Sequence, residues 1–314
     1  MKKWIAVFLS LLLICSVCAA FAEEDSDAIV DQGNEALEKE DYATALELYT
    51  KAAELGNGRA QNNIAHLYRL GLGVEQDTKK AVEYYEKAVE SGLAIAMNNL
   101  ASMYLNGEGV EKDNEKALKY YTMGADAGNK DSLFTLGQLY YWGNGVEQSY
   151  EKALEYLNKA KDAGSADACE LMGEMYYYGT GVEKSPEKAV EYWKMGAEMG
   201  DMLSNTNLGW VYYEGAGVEQ DYEKAMEYCL KSAVLGDYAA IDTIATLYRD
   251  GLGVEQDYKK AADLYWMAWN LCDEQDEKIR EDAIKDLKEK YDQLIRDGKI
   301  PADYEPKEVT FETK

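Results

Sequence analysis

The sequence predicts an all-α fold, a solenoid of stacked antiparallel helix pairs, on three observations. Gly-x-Gly-Val occurs six times, beginning at Gly71, Gly107, Gly143, Gly179, Gly215 and Gly251, always 36 residues apart. A fixed period of this size marks supersecondary units that bury their apolar faces on one another. Between the loops, apolar and small residues recur at helical spacing. In the block from Asn129 to Gly164, Ser132, Leu136, Gly137 and Tyr140 precede the loop, and Ala153, Tyr156, Leu157 and Ala160 follow it. Helix punctuation repeats in the same register. Asp77, Asp113, Ser149, Ser185, Asp221 and Asp257 stand where an N-cap belongs. Gly56, Gly92, Gly128, Gly164, Gly200 and Gly236 stand as C′ residues that end each second helix.

The elements follow in chain order. Residues 1–22 read as a signal peptide: Lys2 and Lys3, an apolar run from Trp4 to Val17, then Ala20-Phe21-Ala22 before Glu23. The run is too short for a membrane span. Lipidation is the weaker reading, because bulky Ile14 and Val17 precede Cys15 and Cys18. Residues 23–56 predict one helix pair, with Ala43, Ala45, Tyr49 and Ala52 at second-helix spacing and no Gly-x-Gly-Val loop. Residues 57–272 hold the six repeats. In each, two glycines end the first helix and turn the chain. A tyrosine stands three residues before the first glycine, and a small residue (Ala65, Ala101, Gly137, Gly173, Gly209, Ala245) three before that. The small position lets two helices approach closely. A Lys-Ala pair opens each second helix, and Pro186 sits at a first helical position, where its missing N–H costs nothing. Residues 273–298 predict an amphipathic capping helix with Ile279, Ala283, Leu287, Tyr291 and Leu294 on one face. Residues 299–314, polar and carrying Pro301 and Pro306, predict a flexible tail.

Composition narrows the function classes. The chain has 33 basic and 59 acidic residues, and loss of Lys2 and Lys3 would take the net charge from −26 to −28. Such a surface repels nucleic acid and favours cationic partners. His66 is the only histidine, so paired-histidine chemistry and His-containing metal sites are absent. Cys169, Cys229 and Cys272 are too widely spaced for a disulfide framework and read as buried small hydrophobes. Carboxylates beside the loop glycines, such as Glu75 with Asp77, invite comparison with calcium turns. Ser149 and Ser185 replace the second acid, which suits a cap and not a ligand. No cofactor and no catalytic residue is expected.

The pattern Ala-x3-Leu-Gly-x2-Tyr-x2-Gly-x-Gly-Val followed by Asp-x2-Lys-Ala-x3-Tyr, clearest from Ser132 to Val146, resembles the Sel-one-like repeat (SLR), a branch of the tetratricopeptide (TPR) superfamily. The resemblance covers Asn57 to Cys272, and residues 33–56 resemble a tetratricopeptide unit. It implies a right-handed α-solenoid, first helices on the concave side, and an adaptor role in assembling complexes. Some exported members with paired cysteines are linked to β-lactams. This chain has no cysteine pair within a repeat, so that link does not carry over.

Groove positions, on that geometry, flank the buried stripe of each first helix. They are mixed and polar at both ends of the chain and aromatic in three adjacent middle repeats. The expected partner-binding residues are Phe134, Tyr141, Trp142, Glu174, Tyr177, Tyr178, Trp210, Tyr213 and Glu214, with Glu170 alongside. The function expected is that of an exported, bacterial, periplasmic or extracellular protein. It is non-enzymatic and monomeric, and binds a protein or peptide with basic residues in its groove. It has no nucleic-acid partner and no membrane segment after cleavage. Glycan binding through the exposed aromatics is the alternative, and a carboxylate-based hydrolase the next.

Mass spectrometry of exported protein should show a mature N-terminus at Glu23. An intact Met1, or a lipid on Cys18, would overturn the leader assignment.

Overall fold

The computed structural model describes residues 26–272 and 277–311. The leader expected at 1–22 lies outside them. All regular structure among the described residues is helical. Packing divides the chain into two units, Met1–Ser149 and Tyr150–Lys314. Unit 1 holds α1 (26–38), α2 (Tyr42–Glu54), α3 (Gly58–Leu70), α4 (Thr78–Glu90), α5 (Ala94–Asn106), α6 (Asn114–Asp126) and α7 (Lys130–Trp142). Unit 2 holds α8 (Tyr150–Asp162), α9 (Ala166–Tyr178), α10 (Pro186–Glu198), α11 (Met202–Glu214), α12 (Tyr222–Ala233), α13 (Tyr238–Asp250), α14 (Tyr258–Cys272) and α15 (Glu277–Arg296). Within each unit consecutive helices pack in chain order, which makes each an α-solenoid. In unit 2 the first helices also touch one another, α11 meeting both α9 and α13.

Local chemistry explains the regularity. In the six loop repeats the first helix ends on a left-handed glycine, such as Gly71 at φ 71° and Gly179 at φ 77°. The loop then folds back. The amide of the N-cap residue donates to the carbonyl of the repeat tyrosine: Asp77 to Tyr68, Ser185 to Tyr176 and Asp221 to Tyr212, at 2.8–2.9 Å. The same caps accept from the amide three residues on, as Lys80 N donates to Asp77 at 3.0 Å. In four repeats the tyrosine stacks on a second-helix tyrosine: Tyr68 on Tyr84, Tyr104 on Tyr120, Tyr176 on Tyr192 and Tyr212 on Tyr228. Tyr176–Tyr192 is 5.4 Å between centroids and Tyr212–Tyr228 5.7 Å. The lysine of the Lys-Ala pair lies over the first ring, 5.1 Å for Lys188 on Tyr176.

The second loop glycine spaces the repeats. A Cβ on Gly109, at φ 74°, would overlap the Thr78 carbonyl at the start of the preceding second helix. The same overlap with the preceding second-helix start is set by Gly73 on Tyr42, Gly181 on Tyr150 and Gly217 on Pro186. The C′ glycines differ: Gly92, at φ 83°, has nothing within 4 Å of an added Cβ.

The end of unit 2 departs from expectation. Helix α15 packs on α14 and buries Leu287 and Leu294; residues 273–276 lie outside the described set. Lys290 of α15 grips Asp242 of α13, its Nζ 2.9 and 2.7 Å from the two oxygens. Residues 299–311, expected to be a flexible tail, are instead seated on the core. Ile300 is buried, and Val309 and Phe311 pack against the last apolar cluster. Tyr304 Oη and the Lys307 amide both donate to Asp263 at 2.9 Å. The apolar side chains at 300, 304, 309 and 311 give the segment a core of contacts that its prolines and charges obscure. Residues 312–314 lie outside the described set.

Gly92→Ala should cost about 1 kcal/mol, from left-handed strain alone. Gly109→Ala adds backbone overlap and should cost at least about 2 kcal/mol. Urea denaturation followed by circular dichroism ranks the two, and equal midpoints would show that the second glycine does not space the repeats.

Candidate functional site

The site is built from a gap. Gly173 of α9 presents no side chain to α10, and Trp193 fills the space; a Cβ on Gly173 would overlap the indole. Trp193 is buried, and its Nε1 donates to the Glu170 carbonyl at 3.2 Å. So large a ring so close to α9 supports a second aromatic layer outside it. The Tyr177 ring lies 5.7 Å from Trp193. Tyr178 meets Tyr177 edge-on at 5.0 Å, and Trp210 of α11 does so at 5.4 Å. Tyr178 is 69% exposed and Trp210 40%. Lys184, from the loop, places its ammonium 5.5 Å from the Tyr177 ring centroid.

Two carboxylates continue this face along α9. Glu170, Glu174, Tyr177 and Tyr178 fall at i, i+4, i+7 and i+8, one stripe of a helix. Glu170 and Glu174 are both half-buried. Burial first, and then the charges of Glu174, Asp201 and Asp167, push the Glu170 carboxyl up to about 8; a long contact from the Asn207 amide, 3.5 Å, opposes the shift. Burial raises Glu174 as well. Among the described residues, no lysine or arginine pairs with either carboxylate.

The other expected residues have neighbours of their own. Tyr213 is half-buried and leans on Tyr222 at 5.8 Å, while Glu214 beside it is exposed. In unit 1, Phe134 and Tyr141 are half-buried, and Trp142, 51% exposed, meets Tyr141 edge-on at 5.1 Å. Sequence reasoning missed Trp193, Asp201 and Asn207. Trp193 occupies the second-helix core position filled elsewhere by Tyr85, Tyr121, Leu157, Cys229 and Tyr265. The signal was there: the largest residue of that column shares a repeat with Gly173, a glycine of the first-helix small-residue column.

Other chemistry is sparse. Cys169, Cys229 and Cys272 are all buried, and burial pushes Cys229 up to about 12, far from thiolate reactivity. Among the described residues no group of three His, Cys, Asp or Glu side chains is placed to hold a metal ion. No helix among them is long and apolar enough to cross a membrane.

A family model described as Sel1 repeat matches residues 31–57, 58–93, 94–129, 130–165, 166–201, 203–237 and 244–268, together well over half of the chain. The first segment extends the family to the α1–α2 pair, which lacks the glycine loop. Among solved structures the chain is similar to a Sel1 repeat protein from Oxalobacter formigenes, at 33% identity and TM-score 0.71, covering 77% of this chain and 99% of that one. It is also similar to c5321, a protective antigen of uropathogenic Escherichia coli with an SLR fold, at 27% identity and TM-score 0.69. That match covers 86% of this chain and 62% of the antigen, so the chain spans under two thirds of the antigen's length. A third likeness is to immunity protein Pa5087 of Pseudomonas aeruginosa, at 25% identity and TM-score 0.51, over 69% of this chain and 83% of that one. No curated protein matches.

The raised Glu170 carboxyl has a consequence for stability. The folded state holds a proton that the unfolded chain releases near 4.5, so Glu170 favours folding below that pH and the advantage is lost as pH rises to about 8. Glu170→Gln should therefore raise the melting temperature at pH 8.5, by roughly 2–4 °C per kcal/mol relieved, and leave it nearly unchanged at pH 4.5. Thermal melts at the two pH values check this; an equal shift at both would detach the effect from ionisation.

Proposed function

The chain belongs to the Sel1 repeat family, and from that premise we propose that it is an exported, non-enzymatic scaffold that binds a basic protein or peptide segment on the first-helix face of unit 2. Proteins built on this repeat are typically interaction adaptors without catalysis of their own. The observation that carries the reading is the exposure of Tyr178 and Trp210 over the half-buried Tyr177. The fold needs Trp193 and the stacked tyrosines. It does not need two large rings held edge-on to Tyr177 and open to solvent. Rigid aromatic anchors of this kind usually dominate interface energies. The acidic surface and the neighbouring carboxylates select a cationic partner. Export to a periplasmic or extracellular space rests on the leader at 1–22, and a monomeric state accompanies it in this reading.

A second reading draws on Glu170. A carboxyl held near 8 beside another carboxylate is the setting of a general acid, so glycan binding with hydrolysis uses the same face. Wild-type protein that releases reducing sugar from envelope glycan, and a Glu170→Gln variant that does not, would favour it over the scaffold.

The double variant Tyr178→Ala, Trp210→Ala should keep the helical spectrum, since both rings are exposed, and lose partner capture from an extract of the producing organism by well over tenfold. Capture should weaken as salt rises. Undiminished capture by the folded variant would place the partner on another surface.

A further inference from the structure

Acids on the first-helix face of unit 2 are treated in two ways. Asp242 of α13 lies two repeats after Glu170, at the same register position. Burial raises the Asp242 carboxyl, and a cation from α15 opposes the shift: Lys290 sits 2.7 Å from Asp242 Oδ2 and 6.0 Å from the Tyr265 ring. Tyr265 is in turn the register equivalent of Trp193. At Glu170 the acid and the aromatic ring behind it are both present and the cation is missing. The adjoining helix α11 offers Asn207, a neutral amide at 3.5 Å, and the second carboxylate, Glu174, adds to the uncompensated charge. Directly along the stripe stand Tyr177 and Tyr178, with Trp210 one turn beyond Asn207 on α11.

We propose that this face holds a subsite for one lysine or arginine side chain of the partner, its cation between Glu170 and Glu174 and its stem against Tyr177, Tyr178 and Trp210. The arrangement supplies from outside what Lys290 supplies to Asp242 from within. A lysine stem spans about one helical turn, the distance from Glu174 to the two tyrosines. Indole and phenol faces are good surfaces for an alkylammonium or a guanidinium. The inference rests on the proposed basic partner and adds a mechanism to it. Burial and the neighbouring acids favour the protonated form of unliganded Glu170, and a bound cation favours its carboxylate. Binding therefore forms the ion pair and releases one proton to solvent. The groups facing Glu170 are Asp167 and Glu174 on α9, Asp201 and Asn207 at and on α11, and the Trp193 indole on α10; Lys184 lies over Tyr177 in the aromatic layer. None of them removes the need for proton release.

The test is calorimetric titration of the full chain with a blocked tetralysine peptide, in buffers of different ionisation heat. The wild type should release a proton on binding and bind about tenfold more tightly at pH 8.5 than at pH 6.5. The near-isosteric Glu170→Gln, Glu174→Gln variant should lose at least about tenfold in affinity and all of the pH dependence. Tyr178→Ala, Trp210→Ala should bind more weakly yet still release the proton. Binding that is equal in wild type and the Gln variant, or pH-independent in the wild type, overturns the subsite and marks general attraction to an acidic surface. The two proposals fail separately. Full partner capture by the aromatic variant sinks the aromatic anchor while a pH-dependent tetralysine result keeps the subsite. Lost capture with pH-independent tetralysine binding does the reverse.

Discussion

The approach of Gly173 to Trp193 is the contact on which the candidate site depends. One missing side chain on α9 admits the bulkiest residue of the second-helix column. The indole then reaches the Glu170 carbonyl, gives Tyr177 a ring to lie against, and leaves Tyr178 and Trp210 as the outermost layer. In other repeats the same pairing takes different forms. Gly209 faces the Cys229 sulfur, and in the first helix pair Gly33 faces Tyr49. A small thiol under a glycine lets two helices close tightly and builds nothing outward. A tryptophan under a glycine keeps the helices close and still raises an aromatic platform.

Because the loops are constant, equivalent positions acquire unrelated duties without disturbing the stack. The position three residues before the first loop glycine is a tyrosine in all six repeats. The next position is Arg69, bound to Glu108, in one repeat, Tyr177 in another and Arg249, paired with Asp250, in a third. The column of Glu170 holds Asn62, Phe134, Thr206 and Asp242. The scaffold fixes where these side chains stand. Their chemistry is free.

Much of this was legible in the sequence for a physical reason: backbone requirements recur identically in every repeat. Positive-φ glycines, N-caps and small close-approach residues are dictated by main-chain geometry, so the Gly-x-Gly-Val loops and the Asp or Ser caps announced the helix pairs. The exposed rings of Trp142, Tyr178 and Trp210 stood out because no repeated structural duty falls on their positions. What was hidden depends on pairing across helices. Trp193 drew no notice in the sequence, because its place over Gly173 exists only once α9 and α10 pack. Glu170 and Glu174 read as surface acids until burial of that stripe and the neutrality of Asn207 became visible. The segment 299–311 read as a tail because its four apolar anchors are scattered among prolines and charges, and only the end of unit 2 gives them a surface.

The second glycine of each loop has a further consequence. Along the chain it meets Tyr42, Thr78, Asn114, Tyr150, Pro186 and Tyr222 at the starts of the preceding second helices, and at all but Asn114 the nearest atom is backbone or a Cβ. The junction between repeats thus accepts Tyr, Thr, Asn and Pro at the same place. A unit of 36 residues can be duplicated, deleted or exchanged whole, and the new neighbours meet through the same atoms as the old. Lineages of such chains are free to change length in quanta while each first helix diverges on its own, and a gain or loss of one unit moves a recognition stripe by one full step instead of erasing it.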